Sequence, residues 1–372
     1  MILSDIVLLR CPDCREALEI GSRIVQDGEA LVAGTLSCKG CHHNFLVFDT
    51  VVILFRRSDV GAFLNDREKA FIDLHKLDIC QPDENVVEGP DDRLIAVASN
   101  WSYQWNEVET TVDLDGDGFY GARAFWSFIP LDALTLLDKV ALVTCGGLGR
   151  EAYHLAAAGA RRVVVNEIGD EIYRIRALVP DADHRLLLVR SDMSHLPLMP
   201  GSVDFAICDH ALQHVIDHSE AFARLAETVR PGGRVAICVY SHENNVLMTY
   251  LVEPTKVILK WVPIRILRYA AVLPAAILWC VIYGVYKPAS ALAPTLSRRL
   301  PLFEHLMFWA RFPFSFLWTS IFDLLHAPVS YHFTHSELER LAADNGLEIE
   351  CLHNTNGTLW SLVARVPGQA EA

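Results

Sequence analysis

Two cysteine pairs, Cys11-Pro12-Asp13-Cys14 and Cys38-Lys39-Gly40-Cys41, carry the plainest chemistry in the sequence. A C-x-x-C knuckle turns tightly enough to aim both sulfurs at one point, and two knuckles a few tens of residues apart can give four thiolates to one tetrahedral zinc. Four thiolates leave no open position for water, so the zinc expected there is structural. His42 and His43 adjoin the last ligand and could replace one thiolate, but beside a complete set they read as surface histidines. Alternation in Leu18-Glu19-Ile20 and the apolar run Ala30-Leu31-Val32 read as short strands, and the ribbon ends with the apolar runs 45–49 and 51–55. A ribbon of residues 1–56 has too little core to fold securely alone, so metal would supply much of its stability.

A second constellation lies further on. The apolar run Val140-Ala141-Leu142-Val143-Thr144 is followed by Cys145-Gly146-Gly147-Leu148-Gly149 and by a helical stretch over 150–158. Strand, glycine turn and helix in that order open a nucleotide-binding βαβ unit, in which glycines admit a ligand close to the backbone and the helix start offers unpaired N–H groups. The next strand, 162–167, ends in Glu167, 18 positions after Gly149, where a carboxylate can accept both hydroxyls of a ribose. A third strand, 185–190, runs into Ser191-Asp192-Met193 and places another carboxylate where an adenine amino group could be read. Residues 201–208 make a fourth strand, and the turn Arg230-Pro231-Gly232-Gly233-Arg234 leads into a fifth over 235–240.

These groups are positioned by an organisation with five parts. The ribbon is followed by a linker and helical lead-in at 57–125, with a helix over 62–77 and a solvated charged loop at Pro90-Asp91-Asp92-Arg93. Asp113, Asp115, Asp117 and Gly118 imitate the start of a calcium loop, but its twelfth position is Ala124 where a bidentate Glu is needed. The nucleotide-binding core occupies 126–240 and an apolar insertion 241–331. A helix over 336–345 and strands over 347–353 and 358–366, joined by the turn Asn354-Thr355-Asn356-Gly357, close the chain within 332–368. In the insertion, residues 269–286 are uncharged and lie between Arg268 and Lys287, with Pro274 and Gly284 inside. Three readings stay open: a helical lid over a hydrophobic pocket, an interfacial hairpin associated with a membrane through 256–287, and a true span. Lys256, Lys260, Arg265 and Arg268 suit a membrane surface as well as a solvated helix face.

The formal net charge of −14 disfavours a nucleic-acid partner. No secretory signal is visible after Met1, so the expected compartment is the cytoplasm, at the inner face of the membrane if the insertion associates with it. Cys145, Cys208, Cys238 and Cys280 in apolar surroundings read as small buried hydrophobes in a reducing compartment.

Taken in order, these signals resemble the class I S-adenosylmethionine-dependent methyltransferases of the type 11-like kind. The ribbon is similar to the small zinc-binding module that serves elsewhere as a methyltransferase activator. Asn100-Trp101-Ser102-Tyr103-Gln104-Trp105 looks like the aromatic lead-in of ribbon–methyltransferase fusions, and 322–328 with His335-Ser336-Glu337-Leu338 resembles their post-insert motif. The resemblance implies an α/β fold: a Rossmann-like, doubly wound, seven-stranded sheet with an N-terminal zinc ribbon and a helical insertion after strand five. It implies S-adenosylmethionine held by Cys145, Gly146, Gly147, Gly149, Glu167, Asp192, Met193 and Asp209, with Cys11, Cys14, Cys38 and Cys41 holding the structural zinc. Methyl transfer from a sulfonium is an in-line displacement, so much of the catalysis can come from positioning and from excluding water. His214, after strand four, is the candidate base for an oxygen acceptor, and its alternative role is to pack against the cofactor. Asp323, His326, His332 and His335 rank behind it, and no ligand spacing among them supports a catalytic metal. The implied activity is methylation of a small-molecule, glycan or lipid-linked acceptor.

The sequence departs from the family at two places: Cys145 stands for the first loop glycine, and Val143 for the acidic residue common in that strand. Both favour an alternative reading, a catalytically weak or inactive binding or scaffold protein. A nicotinamide-dependent oxidoreductase would share the glycine turn and Glu167, but Asp192 and Pro231-Gly232-Gly233 favour the methyltransferase.

Overall fold

The structure is a computed structural model and describes residues 1–79, 91–109, 112–179, 182–245 and 248–368. Four strands open the chain: β1 (Leu18–Asp27), β2 (Ala30–Cys38), β3 (Asn44–Phe48) and β4 (Val51–Ile53). Seven follow: β5 (Val140–Thr144), β6 (Arg162–Glu167), β7 (Leu186–Arg190), β8 (Val203–Asp209), β9 (Val229–Tyr240), β10 (Glu348–Thr355) and β11 (Leu359–Arg365). All eleven form one sheet in the order β1-β2-β3-β4-β7-β6-β5-β8-β9-β11-β10. Strands β4 to β9 pair in parallel from β4 through to β9, and β11 runs antiparallel beside β9.

The expected seven-stranded sheet is therefore part of a larger one. The outer edge of β7 is apolar, and its unpaired N–H and C=O groups would be costly to leave open. The ribbon supplies β4, whose three residues are all buried, and pairs it with β7 at Val52↔Val189 and Ile53↔Arg190. A second junction lies close to the first knuckle. Leu9 bridges to Leu198, Arg10 N–H donates to the Pro197 carbonyl at 3.0 Å, and Met199 N–H donates to the Leu8 carbonyl at 2.8 Å.

Every residue of β5, β6, β7 and β8 is buried, as in a parallel sheet covered on both faces. Leu142, Val164 and Leu187 pack on one side; Ala141, Val143 and Val165 pack on the other. The Arg230-to-Arg234 turn lies inside β9 as a kink, with Gly232 at φ +81 and a register shift against β8.

The linker is more ordered than its composition indicates. The stretch expected as one helix breaks into Val60–Phe63 and Asp66–His75, because Asn65 caps the second by accepting from Glu68 N–H at 2.9 Å. Arg190 then donates from Nη1 to both Glu68 carboxylate oxygens at 2.7 Å, tying this helix to the end of β7. The run Asp91-Asp92-Arg93, expected as a loop, starts the helix Asp92–Tyr103; Asp91 caps it by accepting from Arg93 N–H at 2.8 Å. Pro90 of that run lies outside the described residues. Between β9 and β10 the insertion folds as short helices, among them Glu253–Leu259, Ile264–Ala270, Val272–Val281, Phe303–Trp309 and Phe314–His326.

Candidate active site and metal centre

The glycine turn leaves the carboxyl end of β5 and packs directly on its neighbours. A Cβ on Gly146 would stand 2.5 Å from Val165 Cγ1, and one on Gly149, at φ +87, would stand 2.8 Å from Ile175 Cγ2. Cys145 takes the left-handed conformation, φ 53, that favours glycine. Its Sγ lies 3.8 Å from Met193 Sδ, and interaction with the Cys208 thiol together with burial pushes its own thiol well up. A half-buried thiol held un-ionised is a packing group rather than a nucleophile.

Glu167 ends β6 with its carboxylate turned back to the turn. Oε2 accepts from Gly147 N–H at 2.8 Å; Oε1 accepts from Ile168 N–H at 2.7 Å and Gly169 N–H at 3.2 Å. Burial holds this carboxyl above its ordinary range, and the three N–H groups work against that. Asp192 follows β7 and caps the turn Met193–His195, accepting from Ser194 N–H at 3.1 Å and pairing with His195 Nδ1 at 2.8 Å.

Cys145, Gly146, Gly147, Glu167, Asp192, Met193, Asp209 and His214 all line one cavity of about 730 Å³. Gly149 does not line it and sits behind the turn against Ile175. The Asp209 carboxylate is already engaged. Arg150 forms a close ion pair with it, and His210 Nδ1 lies 2.6 Å from its other oxygen. Burial raises the Asp209 carboxyl, but His210 and Arg150 outweigh it and hold it low; burial lowers His210, but Cys238 and then Asp209 beside it outweigh that and lift it to about 10. Arg150 also reaches Glu151 at 2.9 Å and lies 4.8 Å from the Phe119 ring centre. Reading the sequence missed Arg150, although its place as the first residue after the glycine turn was a signal.

The far end of the cavity is polar but neutral. His214 donates from Nδ1 to the Val329 carbonyl at 2.7 Å, which leaves Nε2 as an acceptor, buried and without a hydrogen-bond partner among the described residues. Burial pushes His214 down to about 3, so it carries no proton on Nε2 at neutral pH. Its ring lies 4.8 Å from Trp101 and 5.4 Å from Tyr240. Burial likewise lowers His326 to about 3 and His332 to about 4, and it pushes the carboxyl of Asp323, 3.8 Å from His326 Nε2, well up from the ordinary carboxylate range. Glu109, on the wall of the same cavity, is pushed up to about 8 by burial. His335 is apart from this group: it is half-buried, faces Glu339 at 3.4 Å and packs edge-on against Trp360.

In the ribbon the four cysteine sulfurs lie within 4.8 Å of one another, with Cys11 and Cys41 at 3.7 Å and Cys14 and Cys38 at 3.3 Å. A tetrahedron with metal–sulfur bonds of about 2.3 Å has edges of about 3.8 Å, so the set fits one zinc. Burial opposes a thiolate at Cys38, but the N–H groups of Gly40 and Cys41, at 3.3 and 3.4 Å from its sulfur, bring it down to about 7. His43 is turned to Asp13 at 3.3 Å.

Residues 142–237 match the sequence profile of the family described as methyltransferase domain. The demethylmenaquinone methyltransferase of Mycolicibacterium vanbaalenii is 30% identical over 129 residues, 34% of this chain and 54% of that protein. The ubiquinone/menaquinone biosynthesis C-methyltransferase UbiE of Syntrophotalea carbinolica is 30% identical over 136 residues, 36% of this chain and 57% of that protein. The chain thus spans about half the length of the curated relatives it matches. Among solved structures, an S-adenosylmethionine-dependent methyltransferase from Mesorhizobium loti overlays with a TM-score of 0.41 at 14% identity, covering 67% of this chain and all of that one. With the strand order β7-β6-β5-β8-β9-β11-β10 and the profile match on its first five strands, the chain carries a class I S-adenosylmethionine-dependent methyltransferase domain.

Proposed function

We propose that the protein transfers a methyl group from S-adenosylmethionine to a small apolar acceptor held beneath the insertion. The observation behind this is one continuous cavity, whose lining joins Gly147, Glu167 and Asp192 to aromatic and aliphatic side chains of the insertion. Its volume, about 730 Å³, is in the range of pockets that hold a drug-sized ligand. Two relatives are named for demethylmenaquinone and for ubiquinone/menaquinone, and walls such as Leu278, Val281, Leu306 and Phe308 suit an acceptor of that apolar kind, including a lipid-linked one. The place of work is then the cytoplasm, at the inner face of the membrane.

The bound cofactor supplies an electrophilic methyl group. Glu167 would accept the ribose hydroxyls, Asp192 would read the adenine edge, and Gly146, Gly147, Met193 and Cys145 would line the rest of the cofactor site. Asp209 acts through Arg150 and His210, holding both against the cleft. His214 Nε2, with its tautomer set by the Val329 carbonyl and its proton affinity lowered by burial, is an open hydrogen-bond acceptor that orients the hydroxyl of an acceptor in the cavity. The four thiolates hold a structural zinc.

Titration calorimetry with S-adenosylmethionine, followed by mass spectrometry of products formed from quinone-type acceptors, tests the reading. Folded protein that releases no heat with the cofactor would rule it out. A catalytically weak binding protein is the second reading, favoured by buried Val143 and by Cys145 in a left-handed backbone; it predicts cofactor binding and zinc content without turnover.

A further inference from the structure

The exposed large apolar side chains are concentrated in one part of the molecule. Trp261 is 79% exposed, Ile258 71% and Leu273 69%, and Val257, Tyr269 and Ile277 stand out in the same way. All belong to the insertion, where Ile264–Leu292 forms a helical stretch long and apolar enough to cross a membrane by composition. An apolar face of this extent on a folded domain marks an interaction surface.

Its electrostatics identify the partner. The chain carries a net charge of −14, yet from Met248 to Arg299 there is a single acidic residue, Glu253, and it is paired with Lys256 at 2.8 Å. That leaves Lys260, Arg265, Arg268, Lys287, Arg298 and Arg299, none with a carboxylate partner among the described residues. Lys260 Nζ lies 5.2 Å from the Trp261 ring centre and Lys287 Nζ 4.0 Å from that of Tyr283, so cationic heads sit beside aromatic rings. Exposed aliphatic and aromatic side chains edged by free cations, on an otherwise acidic protein, match the headgroup region of an anionic bilayer.

The packing decides between a span and an in-plane seat. Leu267, Ala271, Ala275, Ile282 and Tyr286 are buried at helical spacing, against Phe322 at one end and Leu306, Ala310 and Leu317 at the other. Trp318 Nε1 donates to the Arg268 carbonyl at 2.8 Å, and Tyr286 donates its hydroxyl to the Pro301 carbonyl at 2.8 Å, which pins both ends of the stripe. Over 267–286 that stripe is about 29 Å long, close to the thickness of a bilayer's hydrocarbon. The helices it docks on carry Leu306, Phe316, Ser320 and Asp323 of the cavity wall, so a helix held along that whole length cannot cross without drawing the cavity into the lipid. Leu251, 59% exposed, and Val281 also line the cavity, so the apolar face and the cavity meet.

Resting on the acceptor site proposed above, we infer that the insertion lies in the plane of an anionic bilayer, apolar face down, and that the cavity draws its acceptor directly from the lipid. Membrane attraction of about 1 kcal/mol per basic residue corresponds to about fivefold in affinity. Full-length protein is therefore expected to co-sediment with phosphatidylcholine vesicles containing phosphatidylglycerol and to bind pure phosphatidylcholine at least about tenfold more weakly. Arg298→Glu with Arg299→Glu weakens binding at least about 25-fold, and Ile258→Ser with Trp261→Ser at least about tenfold. Both double variants keep the calorimetric response to S-adenosylmethionine. Failure to bind anionic vesicles, with that response intact, overturns the membrane seat alone; loss of the cofactor response in the parent overturns the function reading instead. Two other results also overturn it: a lipid-independent dimer that Trp261→Ser dissociates, which assigns the face to a second copy, and resistance to alkaline carbonate extraction, which assigns a span.

Discussion

Replacing Glu167 by Gln exchanges one carboxylate oxygen for an NH2 group and leaves the shape of the cleft unchanged. A carboxylate offers about four acceptor positions, and Gly147, Ile168 and Gly169 N–H groups take three. One position remains, whereas a ribose diol presents two protons, so cofactor binding has to loosen one of these bonds; Gly147, alone on Oε2 and on the cavity wall, is placed to give way. In Glu167→Gln the amide oxygen can keep Ile168 and Gly169, which turns the NH2 group toward Gly147 N–H and sets donor against donor. Stability changes little: the lost hydrogen bond costs about 1–3 kcal/mol, while removing a buried charge whose carboxyl is held high by burial returns part of it. Affinity changes much more. Losing charge-assisted acceptance of the diol removes about 2–4 kcal/mol, a Kd about 30- to 700-fold weaker. Titration calorimetry reads the affinity and a urea melt the stability. A Kd within threefold of the parent, with the melt unchanged, would show that Glu167 does not hold the cofactor and that the cleft has been misread.

Further outcomes follow from the same geometry. Because Cys145 sits at φ 53, Cys145→Gly should be about 1 kcal/mol more stable than Cys145→Ala, which keeps the Cβ; equal urea midpoints would show that the turn is unstrained. Since β4 pairs with β7 inside one sheet, calorimetry should show one unfolding transition, lowered by a zinc chelator or by Cys11→Ser, and a ribbon melting separately would contradict this. His214 is lowered from 6.5 to about 3 in the folded state, so its contribution is complete above pH 6.5 and is lost as pH falls toward 3, amounting to about 1.4 kcal/mol by pH 5.5. The stability difference between the parent and His214→Gln should therefore shift by about that much between pH 7.5 and 5.5, and a constant difference would mean that the imidazole is solvated.

The parts legible in the sequence are those whose determinants are local. Val140-to-Thr144, the glycines after it and the acidic residues ending the next two strands state a parallel sheet and a cleft at its carboxyl edge with no long-range information. The C-x-x-C knuckles do the same for the ribbon. The pairing of Val52 with Val189 is different, because a three-residue apolar run matches any open strand edge and only the folded domain selects β7. The Arg150–Asp209 pair joins positions 59 apart, and it changes Asp209 from a ligand group into an anchor. His214 shares its surroundings with His326 and His332, and the apolar composition of the insertion gave no sign that their nitrogens would be sealed from water. His335 looked equivalent to them by proximity in sequence, yet it lies on the open side of the helix His335–Asp344, whose Leu338, Leu341 and Ala342 face the core.

The short bridge between Leu9 and Leu198 has a consequence for control. Cys11 lies two residues beyond one end of it, and the turn capped by Asp192 finishes at His195, three residues before the other. A metal on the knuckle and an adenosyl group on the turn would each order the same few backbone bonds. Such linkage is reciprocal: the factor by which one occupant tightens the other is the same in both directions. Oxidative loss of the thiolates would then loosen the cofactor's grip from a distance, and an enzyme short of cofactor would release its metal more readily to competing chelators.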